Sequence, residues 1–468
     1  MVFSSISFVY CFFPLVFLAY FIVPNRSWRN GVLLVSSLIF YAWGEPKFLL
    51  LMVAASLCAW AGGLLIHHFS VKNRPNFKKI VFVITVLLLV GNLFVFKYLN
   101  FAVDNINALF RASIPVASIV LPIGISFYTF QILSYVIDLY WGKVRVQRNF
   151  FWLLLYVSFF PQLIAGPIVR YQTVEQEIMN RQETLDDAVA GFKRFIIGLA
   201  KKVLLANGTG LIVEHIYGIA GSASGTIAYW IAALAFTLQI YFDFSGYSDM
   251  AIGLGRVFGF HFSENFIYPF ASLSTTDFWR RWHVSMASWF RDYVYYPLGG
   301  SRVGKARRLL NVLILWALTG FWHGAQWNFL LWGLFYALLL TVEKHFLQKW
   351  LDKLPKFFRW FYTIFFFVLG SVLFNLTDMV QLGSVLKTMF VWTPTNWFEI
   401  VALDSTILES FVWLPLAMLC AFPILPKLKF KDTTFGTLVS HGLHLALAVI
   451  CIIFIISSSY NPFIYFRF

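Results

Sequence analysis

The sequence predicts an all-α, polytopic integral membrane protein with about ten to twelve transmembrane helices and additional interfacial or re-entrant helices. Three observations support this class. Of the 468 residues, 60% are hydrophobic and only 12% are charged, whereas a soluble domain carries about 25% charged residues. Several apolar runs reach the roughly 20 residues that a helix needs to cross a bilayer. Basic residues lie in short loops between these runs, which is typical of membrane topology signals.

The apolar runs follow one another along the whole chain. The earlier runs are residues 4–23, 31–43, 48–66, 80–96, 116–137 and 150–165. The later runs are residues 227–244, 309–321, 329–342, 361–374, 411–425 and 438–456. Two of them, 31–43 and 309–321, are short for a full crossing. They must be tilted, thin the bilayer locally or lie in the protein interior.

Two other stretches differ from ordinary transmembrane helices. Residues 185–206 place apolar side chains on one helical face and basic side chains such as Lys193 and Lys202 on another. This pattern predicts an interfacial helix. Residues 276–300 are rich in Trp, Arg and Tyr, a composition that belongs at the headgroup level or around an internal cavity.

The net charge of +15 arises from 36 Lys and Arg against 21 Asp and Glu. No basic stripe with interleaved aromatic residues occurs outside the apolar runs, so nucleic acid is not expected as a partner. Topology and contact with anionic lipid explain the charge instead. The first run, 4–23, has no positive segment before it and is interpreted as a transmembrane helix rather than a cleaved signal peptide.

Basic clusters predict the orientation in the membrane. The clusters at 26–29, 72–79 and 143–148 occupy every second loop and are therefore predicted to be cytoplasmic. Three later clusters are interpreted in the same way: 302–308, 344–356 and 427–431. This arrangement places both the N-terminus and the C-terminus outside the cytoplasm.

Several classes of site are not indicated by the sequence. The cysteines, at positions 11, 58, 420 and 451, form no CxxC pair and lie in or beside apolar runs, as packing residues do. No HExxH or other ligand spacing indicates a metal site. Phosphate-binding glycine loops and the GxSxG nucleophile motif do not occur either. No internal repeat is visible, which argues mildly against a transporter of two inverted halves.

Polar residues at membrane depth are expensive, so they are functional candidates. The run 227–244 ends in such a group, formed by Gln239, Tyr241, Asp243 and Ser245. Buried carboxylates need hydrogen-bond partners or a cation. The group therefore either connects helices or forms a cavity wall that orients a substrate or a base.

Two further segments contain histidine among aromatic and polar residues. The first includes Arg280, Arg281, Trp282 and His283, and the second includes Trp322, His323, Gln326 and Asn328. His323 lies between two apolar runs and has the basicity to accept a proton near neutral pH. The following glycine permits a tight break or the close approach of a ligand. Six other histidines lack such surroundings and are interpreted as structural: His67, His68, His215, His345, His441 and His444.

These segments resemble the membrane-bound O-acyltransferase family, in its bacterial branch that O-acetylates exported polysaccharides such as alginate. The resemblance is carried by DFWRRWHVSMASWFRDYVYYPLGGSR at 277–302 and GFWHGAQWNFLLWG at 320–333. It extends to LPIGISFYTFQILSYVID at 121–138, FPQLIAGPI at 160–168, FDFSGYSDMAIG at 242–253 and NPFIYFRF at 461–468. One departure is Phe374-Asn375, where the family pattern leads us to expect Phe-Arg.

The resemblance implies a fold and a reaction. We expect one membrane-embedded acyltransferase domain over 1–468, with peripheral helices at about 1–110, a catalytic core at about 115–345 and C-terminal helices at about 358–468. His323 matches the catalytic histidine of the family, and His283 matches its second characteristic polar position. The polar residues named above are expected around a substrate tunnel. Asn328 and Trp indole N–H groups are candidates for stabilising an oxyanion.

The implied reaction moves an acyl group from a cytoplasmic thioester, acetyl-CoA or another acyl thioester, through the protein to a hydroxyl group. No bound cofactor and no metal are expected. The implied partners are a polysaccharide acceptor, a periplasmic or extracellular SGNH-type acyltransferase and the bilayer of a bacterial cytoplasmic membrane. Alternatives are D-alanyl transfer to teichoic acid, peptidoglycan O-acetylation and, in a different class, a transporter or flippase.

The C-terminal segment, which contains Tyr465, has two interpretations. Its aromatic residues could anchor the chain at the membrane interface, where Tyr and Phe are favoured. Alternatively, Tyr465 accepts the acyl group and presents it to the extracellular partner enzyme. The second interpretation rests on the similar aromatic ending in the related D-alanylation system.

Overall fold

The computed structural model describes residues 1–116, 118–219, 221–424, 433–457 and 463–464. Within these residues the regular elements are helices and no strand occurs, which confirms the all-α class. The chain divides into two compact units. The first comprises Met1–Phe195 and Ser248–Ser263, and the second comprises Ile196–Tyr247 and Glu264–Phe468. The proposed single-domain organisation stays a prediction.

The first unit contains the N-terminal helices. They are α1 (Phe13–Ile22), α2 (Arg26–Ala42), α3 (Pro46–Val71), α4 (Pro75–Leu93), α5 (Leu99–Phe110), α6 (Ile125–Trp141), α7 (Phe150–Ser158), α8 (Phe160–Leu163), α9 (Tyr171–Val174), α10 (Glu177–Asn180) and most of α11 (Leu185–Ala200). Local sequence explains several of their starts. Pro46 and Pro75 occupy first-turn positions, where the missing N–H costs nothing. The side chains of Asn25 and Asn149 accept hydrogen bonds from first-turn N–H groups of α2 and α7.

The second unit contains the remaining helices. They are α12 (Asn207–Glu214), most of α13 (Thr226–Val257), α14 (Thr275–Arg281), α15 (Val284–Phe290), α16 (Lys305–His323), α17 (Trp327–Val342), α18 (Gln348–Leu351), α19 (Lys356–Asn375), α20 (Met379–Phe390), α21 (Trp397–Leu403), α22 (Thr406–Ser410), α23 (Trp413–Cys420) and α24 (Thr434–Ser457). A buried core rich in Trp, Tyr and Phe packs together nine of these helices, α12, α13, α14, α16, α17, α19, α21, α22 and α23.

The protein is a multi-pass membrane protein. In the described residues, seven helical segments are long and apolar enough to cross a membrane: Pro46–Val71, Pro75–Phe110, Leu185–Ile219, Thr226–Val257, Trp327–Leu351, Lys356–Asn375 and Thr434–Ser457. An eighth is possible if Trp397–Leu403 and Thr406–Cys420, bent by 102°, form one broken span. The sequence count was higher because it included short runs, such as 31–43 in the 17-residue helix α2.

The stretch 185–206, which was predicted to be interfacial, belongs to the longer segment Leu185–Ile219. This segment has 35 residues and is apolar enough to cross the membrane. One of its basic residues, Lys202, is only 5% exposed. The charge is tolerated inside the protein because a carboxylate pairs with it, as described below.

Helices α16 and α17 form a tight hairpin. A Cβ atom added to Gly320 would lie 2.3 Å from the Phe329 carbonyl oxygen, and one added to Gly333 would lie 2.3 Å from the Trp316 carbonyl oxygen. Only glycine permits such backbone contact. The hairpin therefore holds the end of α16, where His323 lies, directly against the start of α17.

The N-terminus of α14 is held by a buried carboxylate from a distant part of the chain. Glu343 is fully buried and accepts hydrogen bonds from the N–H groups of Thr275, at 2.7 Å, and Thr276, at 3.0 Å. The Ser274 side chain accepts a further bond from the N–H of Asp277. A carboxylate at a helix N-terminus satisfies unpaired donors and favours the helix dipole. This arrangement positions the segment that leads to His283.

Candidate active site

His323 is the last residue of α16 and is 5% exposed. Its ring meets three aromatic rings nearly edge-to-face: Trp322 at 5.0 Å, Trp332 at 5.1 Å and Phe374 at 5.1 Å between ring centroids. Such edge-to-face contacts are the preferred geometry of aromatic pairs. The imidazole is therefore held in one orientation by the shape of its surroundings.

A cavity of about 20 Å³ adjoins His323. Its walls include Trp279, Trp282, Trp332 and Phe374. A cavity of about 10–15 Å³ holds one water molecule. The cavity beside His323 therefore accepts a group little larger than water. The space beside the imidazole is thus small and largely apolar.

His283 connects α14 and α15 and is fully buried. Its backbone is left-handed, with φ 46° and ψ 52°, which is uncommon outside glycine. Strain of this kind occurs where the surrounding structure requires it, often at functional sites. The indole of Trp322 lies 5.8 Å from the His283 ring and 5.0 Å from the His323 ring, between centroids. One side chain therefore contacts both histidines.

Asn265 determines which nitrogen of His283 carries the proton. The Asn265 Oδ1 atom accepts the N–H of Ser285 at 3.3 Å and its hydroxyl at 2.8 Å. Because a backbone N–H can only donate, this side-chain atom must be an oxygen that accepts. The His283 Nδ1 atom, 3.1 Å from the same oxygen, is therefore the protonated one. The neutral ring then keeps its lone pair on Nε2.

Burial lowers the pKa of His283 to about 3. The cause is desolvation, which disfavours the charged imidazolium. At neutral pH the ring is therefore uncharged. A neutral imidazole with a defined acceptor nitrogen can hold a hydroxyl group or accept its proton transiently.

Asp243, in α13, is 1% exposed and forms a buried ion pair with Lys202, at 2.5 Å between Nζ and Oδ1. Its other oxygen accepts the backbone N–H of Ile464 at 2.7 Å. The neighbouring Phe463 ring packs 5.0 Å from the ring of Tyr247. These contacts attach residues 463–464 to α13. Tyr465 itself lies outside the described residues.

The structure brings together only some of the predicted site residues. Trp282 and His323 line the cavity, and Tyr241 packs 5.9 Å from Trp282 between ring centroids. Asp243 and Gln239, four residues apart on α13, share one face of that helix, and Tyr241 lies on a different face. Ser245 is buried, and its hydroxyl has no hydrogen-bond partner among the described residues.

Other predicted residues have surroundings that favour structural or surface roles. Asn328 is fully buried, and its amide donates to the carbonyl groups of Leu373 and Phe374, at 3.2 Å each. These are terminal carbonyls of α19, so the amide caps that helix. Arg280 and Gln326 are exposed. The Arg281 side chain pairs with Asp277 at 3.0 Å.

Sequence reasoning did not identify Asn265, Lys202 or Glu343 as parts of this site. Glu343 and Lys202 are charged residues inside apolar segments, a signal that could have identified them. Asn265 lies in an irregular segment between α13 and α14. No pattern in the sequence distinguishes it.

Comparisons with known proteins show which family the chain resembles. Residues 144–374 match the family model of the membrane-bound O-acyltransferase family, and this range includes both histidines. A probable alginate O-acetylase of Pseudomonas putida is 35% identical over 100% of both chains. A peptidoglycan O-acetyltransferase of Helicobacter pylori is 34% identical over 83% of this chain and 80% of its own. A teichoic acid D-alanyltransferase of Bacillus subtilis is 30% identical over 49% of this chain and 60% of its own.

Proposed function

The chain belongs to the membrane-bound O-acyltransferase family, and we propose that it moves acetyl groups from a cytoplasmic thioester toward hydroxyl groups of an exported polysaccharide. The observation that supports this proposal best is the buried His323 beside a small aromatic cavity, with the Trp322 ring in contact with both His323 and the buried His283. An acyltransferase needs a base for the attacking hydroxyl and a site that excludes water.

In the proposed reaction, His323 is the general base. It accepts the proton of the attacking hydroxyl group as the oxygen bonds to the thioester carbonyl carbon. The tetrahedral intermediate then collapses, the carbon–sulfur bond breaks, and the imidazolium returns the proton to the departing thiolate. His283 positions the hydroxyl group through Nε2. The aromatic walls limit hydrolysis because they exclude water from the thioester.

The size of the cavity supports a small acyl group. Trp279, Trp332 and Phe374 leave about 20 Å³ beside His323, and a long acyl chain would collide with these rings. Acetyl-CoA is therefore the proposed donor. Two relatives that match most of this chain are named as O-acetylating enzymes, which is consistent with acetyl transfer.

Peptidoglycan is the second candidate acceptor, favoured by the relative from Helicobacter pylori. D-Alanyl transfer is less favoured because the relative with that activity matches only 49% of the chain. The transporter alternative is set aside, since the family is one of acyltransferases. Purified protein combined with the partner enzyme should transfer labelled acetyl from acetyl-CoA to an exported polysaccharide, and without the partner the polysaccharide should stay unlabelled. Failure with acetyl-CoA but transfer from a D-alanyl carrier thioester would contradict the proposal.

The proposal includes an acyl relay through Tyr465 and a periplasmic SGNH-type partner. The Tyr465 hydroxyl attacks the thioester and forms an acetyl ester with release of the thiol, and the partner then takes the acetyl group. Support comes from the preceding residues: Ile464 binds Asp243 and Phe463 packs on Phe244, whose ring is 4.6 Å from that of His283.

The variant Tyr465→Phe tests the relay because it deletes one oxygen and keeps the aromatic ring. Cells carrying it should lose acetylation of the polysaccharide, whereas a purely anchoring tail predicts acetylation near the wild-type level. In a strain without the partner enzyme, mass spectrometry of the C-terminal peptide should detect an acetyl ester on Tyr465.

The proposed location is a bacterial cytoplasmic membrane, with both termini outside. Basic loops 72–79, 302–308 and 427–431 are then cytoplasmic, the last of these lying outside the described residues. Cysteine labelling of intact cells tests this topology after the native cysteines are replaced. An impermeant reagent should not label Lys305→Cys, and labelling from outside would reverse the orientation of α16.

A further inference from the structure

The first unit contains a cavity of about 420 Å³ at one end of helices α3, α4 and α6. Its polar wall includes Lys78 near the start of α4, and Arg145 and Arg148 in the loop after α6. His67 and Ser70, near the end of α3, also line it. We name this cavity the basic pocket. Two basic clusters that are separate in the sequence meet around it.

The loop that contributes both arginines is held in place. The Tyr135 hydroxyl accepts the backbone N–H of Gln147 at 3.1 Å, and the Tyr171 hydroxyl accepts its side-chain amide at 3.0 Å. The Glu175 carboxylate accepts the backbone N–H of Arg145 at 3.2 Å. The guanidinium groups therefore extend from a fixed backbone, which lowers the entropy lost when they bind an anion.

The cationic side chains around the basic pocket have few anionic neighbours among the described residues, and the Glu175 carboxylate bonds the backbone of Arg145 rather than its guanidinium. In the described part of the chain, no carboxylate forms an ion pair with the side chain of Lys78, Arg145 or Arg148. The Lys78 ammonium lies over the ring of Tyr140, 5.0 Å from its centroid. Clustered cations repel one another, and an anion between them would remove that repulsion.

The floor of the basic pocket is apolar. Ile66, Leu139 and Val144 line it and are buried. The neighbouring Trp141 is exposed, as aromatic residues often are at the membrane–water interface. A ligand that fits must carry negative charge at one end and apolar surface at the other. Arginine pairs well with phosphate because its fork of N–H donors matches the phosphate oxygens.

We propose that the basic pocket binds the phosphate headgroup of an anionic phospholipid. Its position, where α3 and α6 end and α4 begins, corresponds to the headgroup layer if these helices cross the bilayer. Basic pockets between transmembrane helices on the cytoplasmic side are a known setting for anionic lipid. The lipid would hold the loop after α6 against the ends of α3 and α4.

The test compares two variants, in each of which three cationic side chains become glutamine. The pocket variant carries Lys78→Gln, Arg145→Gln and Arg148→Gln. The matched control carries Lys344→Gln, Lys349→Gln and Lys353→Gln, at exposed positions that do not line the pocket. Both are purified full length into nanodiscs of mixed phosphatidylglycerol and phosphatidylcholine. Lipid retained after mild detergent extraction is then measured by mass spectrometry.

Wild type and control should retain phosphatidylglycerol preferentially, and the pocket variant should lose that preference, by about fivefold for each cation removed. A variant with Arg145→Lys and Arg148→Lys keeps the positive charge. It should therefore keep part of the preference for phosphatidylglycerol. Equal retention by the pocket variant and the control overturns the proposal.

A second measurement uses the protein in detergent, where added phosphatidylglycerol should raise the Tm of wild type. Equal effects from inorganic phosphate or from phosphatidylcholine would also overturn the assignment to an anionic lipid.

Discussion

His323 and His283 both lie buried in the second unit and both contact Trp322, yet they are held by different forces. Rings surround His323 and orient it by shape. His283 is oriented by a hydrogen bond to Asn265 and by a left-handed backbone. The position of the His323 ring therefore follows from its contacts with neighbouring rings, whereas the hydrogen bond to Asn265 decides which nitrogen of His283 is protonated.

The largest effect is expected at His323. His323→Ala should reduce acetyl transfer by about 10²–10⁴-fold, because loss of a general base typically costs that much. Transfer from labelled acetyl-CoA by purified protein is the measurement. His215→Gln is a matched control: this buried histidine bonds the Ile400 carbonyl at 3.0 Å. The His215→Gln variant should keep the wild-type rate of acetyl transfer per folded molecule. Near-wild-type turnover by folded His323→Ala would remove His323 from the mechanism.

His283→Ala should have a smaller effect than His323→Ala under the same assay. A positioning group contributes less than the base itself, and the residues that line the cavity beside His323 do not include His283. Both variants need a check of monodispersity and Tm, since removing a fully buried ring also leaves a cavity. If His283→Ala is the more damaging of the two, the roles assigned here are reversed.

Variants of Asn265 test whether this residue sets the tautomer of His283 or only packs against it. Asn265→Ala should lower transfer by about tenfold, as is typical when the partner that orients a functional histidine is removed. Asn265→Asp keeps an acceptor and adds a negative charge. That charge favours the imidazolium, so the His283 pKa should rise from about 3.

The pH profile distinguishes these variants. In Asn265→Asp, the protonated fraction of His283 grows as pH falls through the raised pKa, so transfer should decline at a higher pH than in wild type. Wild type should show no such step from His283 near neutral pH. Superimposable pH profiles for the two proteins would mean that Asn265 only supports packing.

The smallest effect is expected at Glu343, which supports the His283 side of the site through α14. Glu343→Gln removes a charged helix cap but keeps one acceptor. The free energy of unfolding should fall by about 1 kcal/mol, seen as a lower Tm. Transfer should weaken less than in Asn265→Ala. An unchanged Tm would indicate that α14 is held mainly by its aromatic contacts.

The sequence predicted the membrane class, the histidine segments and the break between α16 and α17, because these features are local. Apolar runs and glycine positions act on nearby backbone, so they can be interpreted without a fold. The environment of His283 was not predictable in the same way. Asn265 is 18 residues away from it, and Glu343 is 68 residues from Thr275.

Other differences arise from tertiary contacts that change the role of a polar residue. Lys202 looks like part of the solvated face of an interfacial helix until Asp243 is placed beside it. Asn328 looks like an oxyanion donor until its amide is found on the carbonyls of α19. The contact between Asp243 and Ile464 joins residues 221 positions apart, beyond the reach of any local pattern.

The backbone contact between Gly320 and Gly333 has a consequence for genetics. A single added methyl group at either position would meet a carbonyl oxygen at 2.3 Å, so the two helices would have to move apart to accept it. Alanine alleles at these positions should therefore be conditional, tolerated at low temperature and defective on warming. A suppressor screen on such alleles would select second-site changes that let α16 and α17 separate slightly. The positions of these changes would show how the packing of α16 affects His323, its last residue.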